Sequence, residues 1–512
     1  NLMVVGDDDQ SIYRFRGATI GNILSFDTTY SDAKVIKLEQ NYRSTATILD
    51  AANAVISNNK GRKGKNLWTD GAKGEQIILR CLEDQNAEAR AIVDTVYRAV
   101  SKGGKKYRDF AVLYRTNAQS SGIERAFAKS AIPYRMLGGV RFADRKEIRD
   151  AVAYLQLVAN HADRERMLRI INEPRRKIGE RTIDAIEQIA AENDCTMFEV
   201  LENAGRYTAL SRNASTLESF ACLINKLTEI SQTESLPDLF DSVLELSGYR
   251  RMLQEAGEEE KDRLDNLDEF KSSIIEYVNN TEEPSLMGFL EENALVADVD
   301  RYDESADAVV LMTIHSAKGL EFPIVFLPGM EDGIFPGIQT ITGTEEDMEE
   351  ERRLAYVALT RAKEQIYILH AKTRLLYGQT QYNPLSRFVN EIPDEYVNEV
   401  SESAMSGAGN GGTPKVYFKD TGYSSEASGG GATVKKRQSV RFEEKVTVGK
   451  PLFTKDNRSE KLAPGDRVMH MTFGEGEILS VKPMGADILY EVMFDRVGTK
   501  KLMGTYARLK KI

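Results

Sequence analysis

Five polar residues, His315, Ser316, Lys318, Gly319 and Glu321, stand between two short apolar runs, Val309–Thr313 and Ile324–Leu327. In open α/β sheets, ligands bind at the carboxyl ends of strands, so this loop is a site candidate, with a merely solvated loop as the alternative. Two further places present arginine in settings that favour an anion. Tyr42 and Arg43 lead into a helical stripe, Ile48, Ala51, Ala52 and Val55, with Ser44 as an expected N-cap. A helix start of that kind attracts negative charge. Arg361 lies seven residues after Leu354, at the end of the stripe Leu354, Val357 and Ala358. An arginine closing a buried stripe needs an anion for a partner.

The elements that must position these residues follow from periodicity. The two runs around the loop are short, unbroken and rich in β-branched residues, as expected of strands buried on both faces of a parallel sheet, with a short helix beginning between them. Leu2–Val5, Val35–Leu38, Ile77–Cys81, Phe110–Tyr114 and Gln365–His370 read as further strands, and Glu88–Val100 and Ile123–Ala128 as helices. Such alternation implies a parallel sheet with crossover helices. From Asp150 to about Ala297 only helical periodicity remains, including a charged amphipathic helix over Lys261–Val278, and Asp298–Asp307 is an acidic return. The acidic run from Glu345 suits the start of a helix better than a metal site. From Asn398 to Glu460 small and polar residues dominate, as in a flexible linker, and the GxGxxG at Gly407–Gly412 has no preceding strand and is accidental. The last fifty or so residues carry short strands around Val468, Ile478–Val481, Leu489–Phe494 and Lys501–Met503, the spacing of a small barrel.

The totals bound the class. A chain of 512 residues exceeds a single core, and 41% hydrophobic with 29% charged residues describes a globular protein. The sequence has no apolar run long enough to span a membrane and no visible signal peptide, so a cytoplasmic location is expected. Three scattered cysteines, Cys81, Cys195 and Cys222, read as buried free thiols. The net charge of −11 counts mildly against nucleic acid, although local basic patches matter more than the sum.

The segment TIHSAKGLEFPIVFLPG, Thr313–Gly329, resembles motif V of superfamily 1 DNA helicases of the UvrD/Rep/PcrA family, and of its PcrA-type members in particular. GDDDQSIYRFRGA (Gly6–Ala18) resembles motif III, KVIKLEQNYRSTATILDAAN (Lys34–Asn53) motif IV, and VALTRA (Val357–Ala362) motif VI. The resemblance implies RecA-like parallel-sheet domains, an inserted all-α domain and a small Tudor-like β-barrel. The expected boundaries are 1–30 for a remnant of the first RecA-like domain, 31–137 and 301–397 for the second, 138–300 for the helical insert, 398–460 for the linker and 461–512 for the barrel.

By the same resemblance Gln10, Arg43 and Arg361 would serve the γ-phosphate of ATP, an arginine finger stabilising charge on the transferring phosphoryl oxygens. Tyr42, Gly319 and Glu321 would contact the nucleotide. Tyr13, Phe15 and Arg16 would face single-stranded DNA, with Phe15 standing where many relatives have tryptophan. Arg115, Asn117, Arg141 and Phe142 are further contacts to that strand, and Thr313 and His315 couple it to the nucleotide site. Arg175, Arg176, Lys177 and Gly179 would grip duplex DNA at the junction, where relatives have Gly-Ile-Gly and this chain has Lys177-Ile178-Gly179. The alternatives are ordinary: a core aromatic for Phe15, a surface arginine for Arg43, a core histidine for His315 and a solvated turn for 175–179.

No GxxxxGK[ST] loop occurs, and Mg²⁺ ligands are expected in a part amino-terminal to Asn1. The chain is therefore expected to be the carboxyl-terminal part of an ATP-dependent 3′–5′ DNA helicase of repair and replication, inactive by itself. Residues 461–512 would dock on RNA polymerase. The competing class is a non-enzymatic DNA- and polymerase-binding protein. A helicase–nuclease fusion is disfavoured by the barrel-like tail.

Overall fold

A computed structural model describes residues 3–14, 17–257, 260–299, 307–400, 462–470, 473–484, 487–495, 498–503 and 509–511. Its centre is a seven-stranded sheet in which every pairing is parallel. The strands are β1 (Ile77–Leu82), β2 (Phe110–Tyr114), β3 (Tyr134–Met136), β4 (Val309–Thr313), β5 (Phe322–Leu327), β6 (Ala362–Ala371) and β9 (Val397–Val400), in the order β3-β4-β2-β5-β6-β1-β9. Tyr134 of β3 pairs with Val309 of β4 although a whole helical segment lies between them in sequence. The helical segment is thus an insertion in a continuous sheet. It has its own core, built on Leu155, Phe220, Ile224, Phe240 and Phe270.

The central strands are apolar on both faces because helices cover both. Ile48, Ala51, Ala52 and Val55 of the helix Ala46–Ile56 are buried with Leu354, Val357 and Ala358 of the helix Glu345–Leu359 on one side of the sheet. Phe110, Val112 and Phe326 face the other side with Ile92 and Phe127. The acidic run opens a helix as expected: Thr344 caps it, its Oγ1 accepting from Asp347 N at 3.2 Å while Asp347 Oδ2 accepts from Thr344 N at 3.0 Å.

A two-stranded hairpin, β7 (Arg374–Leu376) and β8 (Gln379–Gln381), follows β6 and touches the insert, where Gly378 N donates to Ser272 Oγ at 2.8 Å. At its start Arg374 Nη2 lies 2.9 Å from Glu88 and 2.6 Å from Glu331, all three buried. The tail is a five-stranded antiparallel sheet, β10 (Arg467–His470), β11 (Gly474–Met484), β12 (Asp487–Phe494), β13 (Gly498–Met503) and β14 (Lys510–Lys511), around Val468, Phe473, Ile478, Val492 and Phe494. Among the described residues no helix is long and apolar enough to cross a membrane.

Several expectations need correction. Residues 3–5 form no strand, and Met3 and Val5 are exposed. The run Val35–Leu38 forms none either; Val35, Ile36 and Leu38 are exposed, and the nearest sheet-like tie is the bridge Gln40–Trp68. Alternation and β-branching identify a chain that can be a strand, but a strand also needs a neighbour to pair with. Ser44 is no cap: Thr45 holds that place, and Ser44 Oγ donates to Ala362 O at 2.6 Å, tying the segment to β6. After β4 the chain makes turns, not a helix. The segment assigned to the linker begins with β9, whose residues Val397–Val400 pair with β1; residues 401–461 lie outside the described part, as do 300–306 of the acidic return. None of the three cysteines is in a disulfide, but Cys81 and Cys195 are half-buried and Cys222 is exposed.

Candidate nucleotide and DNA interface

The amino ends of β5 and β6, the edge of the sheet opposite the strand carboxyl ends where the sequence led a site to be expected, bring three separated stretches together. Glu321 precedes β5, Arg361 precedes β6, and Arg43 precedes the helix Ala46–Ile56. Arg43 Nε donates to Glu321 Oε2 at 2.5 Å and its Nη1 to Thr360 O at 3.3 Å. Arg361 is 1% exposed, and its guanidinium donates to Val357 O, Leu320 O and Thr360 Oγ1, each at 3.1 Å. No carboxylate is among those partners. Burial, and then the charge of Arg43, pull Arg361 down to about 10. The side chain does not continue the helical stripe, since the helix stops at Leu359 and the turn folds Arg361 back against it.

Lys363 completes the group, its Nζ 2.6 Å from Glu321 Oε1. It went unassigned in the sequence, although it stands two residues beyond Arg361 on entry to a strand, where alternate side chains share a face. Hydrogen bonds from Lys363, then from Arg43, hold the Glu321 carboxyl down at about 2. Gly319 has φ +87, a backbone setting that favours glycine and lets the turn close before Glu321. Tyr42 is 85% exposed and donates to Gln40 Oε1 at 2.7 Å, leaving its ring face open.

The amino-terminal segment meets the same loop. Lys318 Nζ donates to Gln10 O at 2.9 Å and lies 5.4 Å from the Tyr13 ring centroid. Tyr13 Oη donates to His315 O at 3.2 Å, and the buried Arg353 donates from Nε to Ser11 O at 2.7 Å. Gln10 itself donates from Nε2 to Asp7 Oδ2 at 2.7 Å. Thr313 Oγ1 and Ser316 Oγ, 3.0 Å apart, brace the turn that carries His315. Phe15 and Arg16 lie outside the described residues.

Other predicted contacts stand apart. Arg115 is held by Glu351, with Nε 2.5 Å from Oε1; burial works against its charge and Glu351 more than offsets this. Arg141 is paired with Asp144 at 2.6 Å. Phe142 is buried in the core of the insert with the Arg145 guanidinium 5.0 Å from its ring, so it offers no face to a base. Asn117 is half-buried, and its backbone oxygen accepts from Arg145 Nη1 at 3.1 Å.

In the insert, Arg176 is a structural residue. It donates to Ile170 O, Ile171 O, Pro174 O and Tyr154 Oη and stacks on Phe220. Arg175, Lys177 and Gly179 are exposed, Gly179 as the N-cap of the helix Glu180–Asn193. Lys177 has φ +62, the left-handed region where a side chain is strained. Lys177→Gly is therefore expected to stabilise the insert by about 0.5–1 kcal/mol, the strain relieved less the entropy glycine adds to the unfolded chain. Urea unfolding of Lys177→Gly beside Lys177→Ala checks this, the alanine variant showing no such gain.

The phosphate groups of a nucleotide fit a buried arginine that has no carboxylate among its hydrogen-bond partners. A Mg²⁺ ion does not fit the described residues. The acidic cluster Asp7–Asp9 is already met by cations: Arg62 binds Asp9 through two bonds of 2.9 and 2.7 Å, and Lys65 binds Asp7.

Comparison with known proteins identifies the family of the chain. Residues 36–373 match the model of the UvrD-like helicase C-terminal domain, residues 1–31 that of the UvrD/REP helicase N-terminal domain, and residues 465–511 that of the PcrA/UvrD tudor domain. Over its full length the chain is 42% identical to the ATP-dependent DNA helicase PcrA of Staphylococcus aureus and spans 67% of that protein. It is 40% identical to the PcrA of Bacillus subtilis, again spanning 67%. Identity at this level along the whole chain, with a family model matching more than half of it, places the chain in the UvrD/PcrA family of ATP-dependent DNA helicases.

Proposed function

We propose that the chain carries the nucleotide-sensing and DNA-gripping half of a 3′–5′ DNA helicase and translocase that acts in the cytoplasm, in DNA repair and replication. The observation that supports this most is Arg361, buried without a carboxylate beside Arg43 at the strand ends. ATP supplies a phosphoryl group whose transfer releases the energy of stepping. The residues of this chain bind and stabilise its terminal phosphate: Arg361 from a fixed position and Arg43 from a mobile one. Gln10 is tied through its backbone to Lys318, and Tyr13 to His315, so a shift at the phosphate moves the aromatic that meets DNA. Tyr13, Phe15 and Arg16 then hold successive bases, while Arg175, Lys177 and Gly179 contact the duplex junction. Residues 461–512 dock on RNA polymerase.

The chain has no GxxxxGK[ST] loop to cradle phosphates and, in its described residues, no free carboxylate cluster for Mg²⁺. Purified chain is therefore expected to bind single-stranded DNA, more weakly as salt rises, and to show no ATPase activity. Fluorescence anisotropy with an oligonucleotide and a phosphate-release assay test both. DNA-stimulated, Mg²⁺-dependent turnover by the chain alone would overturn the second expectation, and salt-independent DNA binding the first.

A further inference from the structure

Two of the three cations at the site share one carboxylate. Glu321 places Oε2 on Arg43 Nε at 2.5 Å and Oε1 on Lys363 Nζ at 2.6 Å, while Arg361 beside them has only carbonyl and hydroxyl partners. A phosphate reaching Arg361 thus finds Arg43 already engaged through its Nε edge. We propose that Glu321 is a displaceable counter-ion, a positioning residue that holds Arg43 until phosphate competes it away, with Lys363 keeping the carboxylate afterwards. The inference rests on the nucleotide-phosphate reading above.

Three features suit Glu321 to this. Its side chain is 41% exposed, so its ion pairs are of the weak, water-screened kind and yield to a multiply charged anion. Lys363 gives it a second partner, so releasing Arg43 leaves the carboxylate paired. The same lysine keeps the carboxyl ionised far below neutral pH, so the contact stays intact over the working range. Arg43 also keeps a second anchor, Nη1 on Thr360 O at 3.3 Å. That contact retains the guanidinium next to Arg361 while its other edge turns to the phosphate.

The test is the binding of inorganic triphosphate to the chain, followed by calorimetry. Glu321→Gln is expected to bind about tenfold more tightly than the parent, close to 1.4 kcal/mol, with an unchanged melting temperature. In an Arg43→Ala background the same substitution is expected to gain less than threefold, because no arginine remains to be released. An equal gain in both backgrounds, or none in either, overturns the proposal. If Arg43→Ala and Arg361→Ala weaken binding while Glu321→Gln leaves it unchanged, the phosphate reading stands and the counter-ion role alone falls. If the parent, Glu321→Gln and Arg361→Ala all fail to bind triphosphate, the phosphate reading fails and takes the proposal with it.

Discussion

Replacing Arg374 with methionine is expected to cost the sheet domain about 3–5 kcal/mol, the usual penalty for removing one member of a buried ionic group. Arg374 Nη2 sits 2.9 Å from Glu88 Oε2 and 2.6 Å from Glu331 Oε1. Glu331 also accepts from Ala371 N at 2.8 Å and Asn383 Nδ2 at 3.2 Å, and Glu88 from Gly329 N at 2.8 Å. The cluster thus joins the helix Gln85–Ser101, the chain after β5, the end of β6 and the hairpin β7–β8. Burial opposes every charge in it; Arg374 holds Glu331 below its ordinary value, while Glu88 is pushed up by burial. Without the arginine, two carboxylates remain buried with no cation. Hydrogen exchange of the β6 amides is the measure, because it reads the sheet domain separately from the insert and the tail. Arg374→Met is expected to lower their protection by the amount above. The combined change Glu88→Met, Glu331→Leu and Arg374→Met is expected to restore only part of it, since it removes the buried charges but leaves Ala371 N and Gly329 N without their acceptors. Unchanged protection in the single variant would sink the idea that the cluster ties these elements together.

The second large effect is expected from Glu269, on the insert helix Lys261–Asn280 where it meets the sheet domain. Its Oε2 is buried with no hydrogen-bond partner, in a small cavity shared with Gln85, Glu88, Gln119 and Arg374. The cations within reach are committed elsewhere: Arg125 to Glu276 at 2.8 Å, and Arg374 to Glu88 and Glu331. Burial pushes the Glu269 carboxyl up to about 8, with Arg125 and Arg374 pulling against it and Glu276 adding to it. A carboxyl raised in the folded state binds its proton more tightly there than in the unfolded chain. Its contribution is complete below the ordinary value near 4.5 and is lost as pH rises through about 8. Glu269→Gln, neutral at every pH, is expected to be more stable than the parent at pH 9 by about 2 kcal/mol and nearly equal to it at pH 5. Urea unfolding at both values decides; the same difference at pH 5 and pH 9 would show that the carboxyl does not titrate between them.

Sequence alone carried the local pattern a long way. β-Branched apolar runs marked β2 and β4 to the residue, because a strand covered on both faces has no polar positions to blur it. The change to helical periodicity near Asp150 located the insert, and the acidic run located a capped helix, since both signals act within a few residues. Motif order set Gln10, Arg43 and Arg361 on the γ-phosphate and Glu321 on the nucleotide; the fold brings Arg43, Glu321 and Arg361 close together, whereas the Gln10 side chain bonds Asp7. What the sequence did not decide was which partner each side chain meets. Val35–Leu38 has the pattern of a strand and no neighbour to pair with. Phe142 and Arg176 look like nucleic-acid contacts and instead pack the insert. Arg115 is held by Glu351, Lys363 shares Glu321 with Arg43, and Glu269 is left without a cation. These outcomes depend on residues tens to hundreds of positions away. Burial and ion pairing are set by distances of a few ångströms in space, and only the closed tertiary structure determines those distances.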